Sequence, residues 1–377
     1  MVNRLYLGAC LLVSMAFLSS CMTPQALRFD EAKRSVEFIS PAWSSQLYTV
    51  PNFAYEPIEK AQTLVVGNVA YLGGRDGVFR AIALNDGRTL WTVDMFEPIV
   101  ARAVKVDEDL LIGSMGGKLY RVNRASGRVI WSYDVETSIV SRVAVSGGRV
   151  FTVNNKNALF ALDAETGKYL WHKNRPHKTE FTMDGQGAPL AADGRLYVGF
   201  SDGILVCMAP EDGAVIWSRK LSSGDPRFGD VDSDPVRRGD KLFVTSFNGG
   251  VFALNPEDGT TIWSKSLTGG STPTFVGGKL ILASAEGELV ALAETTGETM
   301  WRSSISEPGQ LLSPPLRMNG YVATADGTGL IVIHSNSGSV VGKWNVGDGF
   351  SAQPSYSNGN LYTLSNSGVL YRFKNIQ

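Results

Sequence analysis

The sequence predicts an all-β protein: an eight-bladed β-propeller with four antiparallel strands per blade, its ring closed by pairing the N- and C-terminal strands. Three observations predict it. One motif, clearest at Ala161-Leu162-Asp163-Ala164-Glu165-Thr166-Gly167-Lys168-Tyr169-Leu170-Trp171, returns along the chain at a period of about forty residues. A second tight turn bearing Gly or Asn recurs between apolar strands. The chain also stops one strand short of completing its last repeat, and a suitable strand lies near its beginning.

The amino-terminal segment comes first. Arg4 precedes an apolar run of 13 residues, Leu5 to Phe17. That run is too short to span a bilayer comfortably and suits a secretory signal. Leu18-Ser19-Ser20-Cys21 follows and resembles a bacterial lipobox, in which the Cys21 thiol would be acylated and become the first mature residue. Several acyl chains on one residue anchor stably where a single chain would be marginal. Met22, rather than Asp, at the next position resembles the enterobacterial pattern for the outer membrane. The expected division is residues 1–20 as signal peptide, 21–35 as lipidated tether and 36–377 as propeller.

The body of the chain follows. The Gly of the long motif stands at Gly87, Gly127, Gly167, Gly213, Gly259 and Gly297, and more weakly at Gly338. Four residues after each of the first six comes a Trp: Trp91, Trp131, Trp171, Trp217, Trp263 and Trp301. Each indole can cover roughly 150–250 Å² of apolar surface. At equivalent points these six rings are expected to dock neighbouring blades. The earlier turn includes Arg75-Asp76-Gly77, Ser201-Asp202-Gly203, Phe247-Asn248-Gly249 and Asn366-Ser367-Gly368. Gly and Asn accept the positive φ that such hairpins need. It is flanked by strand patterns such as Leu196–Phe200 and Val251–Leu254. The seventh copy is irregular, because Gly342 occupies the Trp position and Trp344 lies two residues on. The eighth stops at Tyr371-Arg372-Phe373-Lys374, and Phe38 to Trp43 can supply its missing strand.

Composition narrows the function classes. Formal charge is −1 with both signs interleaved, so no basic stripe marks a nucleic-acid binder. The three cysteines, Cys10, Cys21 and Cys207, form no disulfide framework. Cys207 sits in a strand pattern and reads as a small buried apolar residue. The three histidines, His172, His177 and His334, match no zinc spacing. Gly199-Phe200-Ser201-Asp202-Gly203 copies the nucleophile-elbow string, but between two strands rather than before a helix. Asp230, Asp232 and Asp234 alternate as in a calcium loop, yet Pro235 and Lys241 stand where such a loop wants Gly and Glu. No catalytic, cofactor-binding or metal-binding residue is expected.

Two connections are longer than the rest. Trp171 to Pro189 and Trp217 to Pro235 each take 18 residues, against 10 from Trp263 to Pro273. They follow consecutive blades, so both should emerge on one face. Departures from a regular scaffold mark where it does something specific. The first connection carries Phe181, Met183 and Asp184; the second carries Arg227, Asp230 and Asp232. Exposed apolar residues beside acidic ones suit a protein-binding patch.

The repeat A-L-x-x-x-T-G-x-x-x-W resembles those of pyrroloquinoline-quinone-dependent dehydrogenases and their relatives, over nearly the whole mature chain. Within that group, the length, the lipobox and the lack of an adjacent Cys pair resemble the BamB family, lipoproteins of the outer-membrane β-barrel assembly (BAM) complex. The resemblance implies a non-enzymatic, periplasm-facing scaffold without a cofactor. Its partners would be the POTRA domains of BamA and other BAM subunits, together with nascent outer-membrane proteins, and it would bind no nucleic acid. It assigns the partner contacts to Phe181, Met183, Asp230 and Asp232. Asp184 stands where the enterobacterial pattern has Arg, which breaks that charge match. Two other readings stay open: a reduced quinoprotein-type dehydrogenase, and an envelope polysaccharide-binding propeller.

Overall fold

A computed structural model describes residues 40–50, 58–175, 186–221, 230–345 and 347–374. They form eight four-stranded antiparallel sheets, the blades of a propeller, and among the described residues there is no helix. Blade 3 shows the pattern. Its strands are Ala144–Ser146, Arg149–Val153, Ala158–Asp163 and Tyr169–Asn174, hydrogen-bonded in that order from the channel outward. The second and third strands are buried almost throughout, because neighbouring blades cover both their faces. The outermost strand alternates less and is largely exposed.

There is accordingly no single core. Eight apolar clusters are wedged between blades. Between blades 3 and 4, for example, Phe151, Val153 and Leu159 pack with Leu196, Val198 and Val206. The quasi-repetitive sequence thus builds one interface repeatedly, and each blade is stable only between its neighbours.

The motif Trp and Gly meet across those interfaces. The indole of one blade lies over the Gly turn of the next: Trp91 on Gly127, Trp131 on Gly167, Trp171 on Gly213, Trp217 on Gly259, Trp263 on Gly297 and Trp301 on Gly338. Gly167 has φ +70°, and a Cβ there would fall 2.5 Å from the Trp131 ring. Both the backbone conformation and the indole therefore exclude a side chain. The indole N–H usually donates to the same turn, as Trp217 does to the Pro256 carbonyl at 3.0 Å. Trp131 is an exception: the Ala164 carbonyl accepts from Arg121 at 2.7 Å, and the Trp131 N–H is buried without a partner.

Ring closure follows the expected route. Pro41–Gln46 pairs antiparallel with Val369–Phe373 and becomes the outer strand of blade 8, whose other strands are Ser355–Ser357 and Asn360–Leu364. Trp43, on this imported strand, docks on Gly87 of blade 1 and donates to the Leu84 carbonyl at 3.0 Å. The same arrangement explains Gly342. The outer strand of blade 8 comes from the other end of the chain, so no Gly turn precedes it for a blade 7 Trp to cover. Trp344 packs instead edge-on against Tyr371 and Phe373, with ring centroids 4.9 and 4.8 Å away.

A buried carboxylate locks the closure. Glu59, fully buried, accepts from the Tyr48 hydroxyl and from the N–H groups of Ala61 (2.7 Å) and Arg75 (3.1 Å). Its own N–H donates to Asn366 in blade 8 at 3.0 Å. Burial raises the Glu59 carboxyl above the usual range, while the donors oppose that shift. This clasp ties the segment after the imported strand to the first and last blades.

Candidate functional site

The connections between blades and the turns between second and third strands share one face. Backbone bonds link them directly: Met115 N–H to Pro98, Asn155 N–H to Ser138, and Phe247 N–H to Asp230. The Gly-Trp turns lie on the opposite face. The two 18-residue connections leave blades 3 and 4 on the first, loop-bearing face.

Their described ends converge. The Gly187 backbone lies so close to Ser233 that a Cβ would sit 2.2 Å from its carbonyl oxygen. The Ala188 N–H donates to Asp234 Oδ1 at 2.7 Å, and the Asp234 N–H donates to Thr272 at 2.8 Å. Ser233 is fixed by Thr245, whose N–H donates to the Ser233 hydroxyl at 2.9 Å. The roots of the two connections are thus one hydrogen-bonded unit spanning blades 4 to 6. Phe181, Met183, Asp184 and Arg227, like Cys21, lie outside the described residues.

Asp230 and Asp232 are placed differently from a pair on a solvated loop. Asp230 is only 2% exposed. Asp232 is partly buried at the edge of the central channel. Desolvation, reinforced by the like charge of Asp230, pushes the Asp232 carboxyl up to about 7. Its charge is therefore set near neutral pH by whatever approaches it. The sequence reading placed both as exposed loop acids because alternation on a loop carries no sign of burial.

The channel mouth on this face encloses a cavity of about 1370 Å³, lined among others by Lys60, Gln62, Asp232, Thr272, Gln310 and Gln353. Two places before each of the eight inner strands, in equivalent positions, stand Gln62, Arg102, Arg142, Ala188, Asp234, Thr272, Pro314 and Gln353, and of these Gln62, Thr272, Pro314 and Gln353 line the cavity. Arg142 reaches past blade 4 to Asp234 at 2.9 Å. Sequence reasoning missed this ring. Aligning the repeats on their inner strands, rather than on the Trp motif, would have put Arg102 and Arg142 in register.

Other sequence signals resolve simply. Cys207 is fully buried, and burial pushes its thiol up to about 11, so it is unreactive at neutral pH. Ser201 lies in the turn between strands Arg195–Gly199 and Ile204–Met208, without the helix that a nucleophile elbow needs. Among the described residues no three His, Cys, Asp or Glu side chains gather to hold a metal ion, and Asp234 is already engaged by Arg142.

Comparison with known proteins now decides the family. The model of "Outer membrane protein assembly factor BamB" matches residues 75–255 and 248–370. The chain belongs to the BamB family. Among solved structures, BamB from Moraxella catarrhalis superposes with a TM-score of 0.77 at 20% identity, covering 89% of this chain and 99% of that one. Quinohemoprotein alcohol dehydrogenase from Comamonas testosteroni gives 0.71 at 16% identity, covering 90% of this chain and 77% of that one. A europium-containing methanol dehydrogenase gives 0.70 at 11% identity, covering 91% and 94%. At these identities the likenesses establish the shared propeller and nothing of its chemistry. No curated sequence matches this chain. The BamB family and the quinoprotein enzymes thus share the ring, and the difference between them must lie in side chains.

Proposed function

We propose that this BamB-family chain is a non-enzymatic scaffold of the outer-membrane protein assembly complex. It is lipid-anchored through Cys21, faces the periplasm, and binds the POTRA domains of BamA with its loop-bearing face. In that role it assists the folding and insertion of β-barrel proteins. The observation that carries this reading is the joined root of the two long connections, Gly187 on Ser233 and Ala188 on Asp234. A rigid ring holding two adjacent extended loops from one hydrogen-bonded base presents a preorganised surface. Phe181, Met183, Asp184 and Arg227 are the contact residues proposed for those loops. Asp232 lies at their base, and an approaching basic side chain would hold it ionised.

Co-purification with BamA from membranes tests the reading. Asp232→Ala, in a protein that retains its unfolding midpoint, should lower BamA recovery several-fold. Undiminished recovery would count against the surface. Asp230→Ala is a poorer probe, because a residue 2% exposed reports on folding as well.

The dehydrogenase reading has the quinoprotein neighbours in its favour. The side chains fit it badly: the one described cysteine is buried Cys207, and among the described residues no three His, Cys, Asp or Glu side chains gather to hold a metal ion. We therefore derive no step through a quinone. Absorbance from a bound quinone in the purified protein would revive that reading.

A further inference from the structure

The cavity at the channel mouth is lopsided. The connections leading into blades 5, 6, 7, 8 and 1 line it, and among the described residues none comes from the connections into blades 2, 3 and 4. Its volume of about 1370 Å³ exceeds the roughly 300–1,000 Å³ of a small-molecule site. Six side-chain amides line it: Gln46, Gln62, Gln310, Asn345, Gln353 and Asn366. Among the described residues, the side chains of Gln62 and Gln310 have no hydrogen-bond partner. Gln353 donates to the Pro314 carbonyl at 3.1 Å, which leaves its oxygen open.

Charge in the lining is close to balanced. Lys60 is offset by Asp348, and Asp326 is bonded to Lys343 at 2.7 Å. Asp232 holds its proton up to about pH 7. Two aliphatic side chains stand in the same lining, Leu311 (68% exposed) and Ile58 (58% exposed), and neither belongs to a cluster between blades. Both leave apolar surface in water. The aromatic residues of the lining, Phe247 and Tyr371, are partly buried, Tyr371 against Trp344, so among the described residues no open ring face is offered to a sugar. A Gln amide carries the donor and acceptor of a peptide group. An extended chain presents the matching N–H and C=O at each residue, whatever its side chains. Free amides beside exposed aliphatic groups thus match extended polypeptide better than a sugar or an ion.

We propose that the channel mouth binds an extended, uncharged stretch of polypeptide, with Gln62, Gln310 and Gln353 hydrogen-bonding its backbone and Leu311 and Ile58 covering its aliphatic side chains. The site rests on the scaffold reading for its role: the bound stretch would be a strand of a β-barrel client, held before it has paired. Recognition through backbone groups tolerates many sequences, as a scaffold serving different barrels requires.

Fluorescence anisotropy on the purified full chain tests the site. The probe is a capped octapeptide of alternating Leu and Thr with a fluorophore at one end. It should bind saturably. Methylating its Thr backbone nitrogens should weaken binding about tenfold, because those donors are lost. Gln62→Ala combined with Gln310→Ala should weaken it about tenfold as well, and Leu311→Ser several-fold. These three positions are open to solvent, so both variants should keep the wild-type melting temperature. Ile262→Ser, at a 47% exposed position on the outer strand of blade 5, should bind as wild type does. No saturable binding, undiminished binding by both mouth variants, or an equal loss on Ile262→Ser would overturn the proposal. So would displacement of the peptide by an equal concentration of an N-acetylglucosamine tetramer. The titration contains no BamA, so its failure is distinguishable from a failure of the BamA contact, which co-purification reads.

Discussion

Six junctions, from blade 1 through blade 7, rest on a Trp laid over a Gly turn, and Trp43 repeats the device between blades 8 and 1. The junction between blades 7 and 8 is built otherwise. There the Trp position holds Gly342, and Trp344 packs into a cluster with Phe350, Tyr371 and Phe373. The difference follows from connectivity. A Trp needs a continuous turn to cover, and blade 8 has none, because its outer strand arrives from the other end of the chain. The irregular seventh repeat is therefore a consequence of where the ring is sewn.

Removing the sewing strand should have the largest effect. A chain starting after Gln46 loses the outer strand of blade 8 and the Trp43 dock, and it leaves the edge of Val369–Phe373 unpaired. Its unfolding should lose single-transition cooperativity, read by circular dichroism against urea. A cooperative transition at the original midpoint would refute closure by the termini.

Next come the two kinds of Trp. Trp171→Ala should cost about 3–5 kcal/mol in chemical denaturation. Trp344→Ala should cost a similar amount, but its damage should be local. Hydrogen exchange should quicken first in Val369–Phe373 and Pro41–Gln46. Uniform quickening around the ring would erase the distinction between the junctions.

Two glycines separate backbone strain from the indole. Gly167 and Gly148 have nearly the same φ, +70° and +71°, yet only Gly167 lies under a Trp, while nothing is within 4 Å of a Cβ at Gly148. Gly148→Ala should cost about 1 kcal/mol from strain alone. Gly167→Ala should cost roughly 1–3 kcal/mol more, because the indole must move. Equal losses would mean that the Trp is not seated on the turn.

The most conditional effect, absent near pH 4, is at Asp232. Its folded carboxyl titrates near 7, against about 4 unfolded. The folded chain thus holds a proton that the unfolded chain has released. The stability this contributes is full below about pH 4 and is lost as pH rises through about 7. Asp232→Asn removes the loss. It should stabilise the protein at pH 8 by roughly 1–3 kcal/mol and leave it unchanged near pH 4. The same gain at both pH values would assign the effect to packing instead of charge.

The architecture was legible because its signals are local. Each repeat writes a turn, a strand and a Trp at fixed spacing, and the absence of a last strand beside a spare one near the start is visible by counting. The Trp docking could be anticipated in kind, from ring size and equivalence, but not in its partner, since only the packed blades show each ring over the following Gly. The candidate site was legible only as loop length. Burial of Asp230 and the shift of Asp232 depend on which blades flank them. The clasp at Glu59 likewise joins residues some 300 positions apart in sequence, as its bond to Asn366 shows.

From the sequence alone came the number of blades, the route of closure, the six Trp positions and the pair of long connections. Those features follow from period and turn chemistry, which act over a few residues. Tertiary structure alone decided which charges meet at the channel mouth. Arg142, leading into blade 3, and Asp234, leading into blade 5, are brought within 2.9 Å by the curvature of the ring, and no local pattern encodes that curvature.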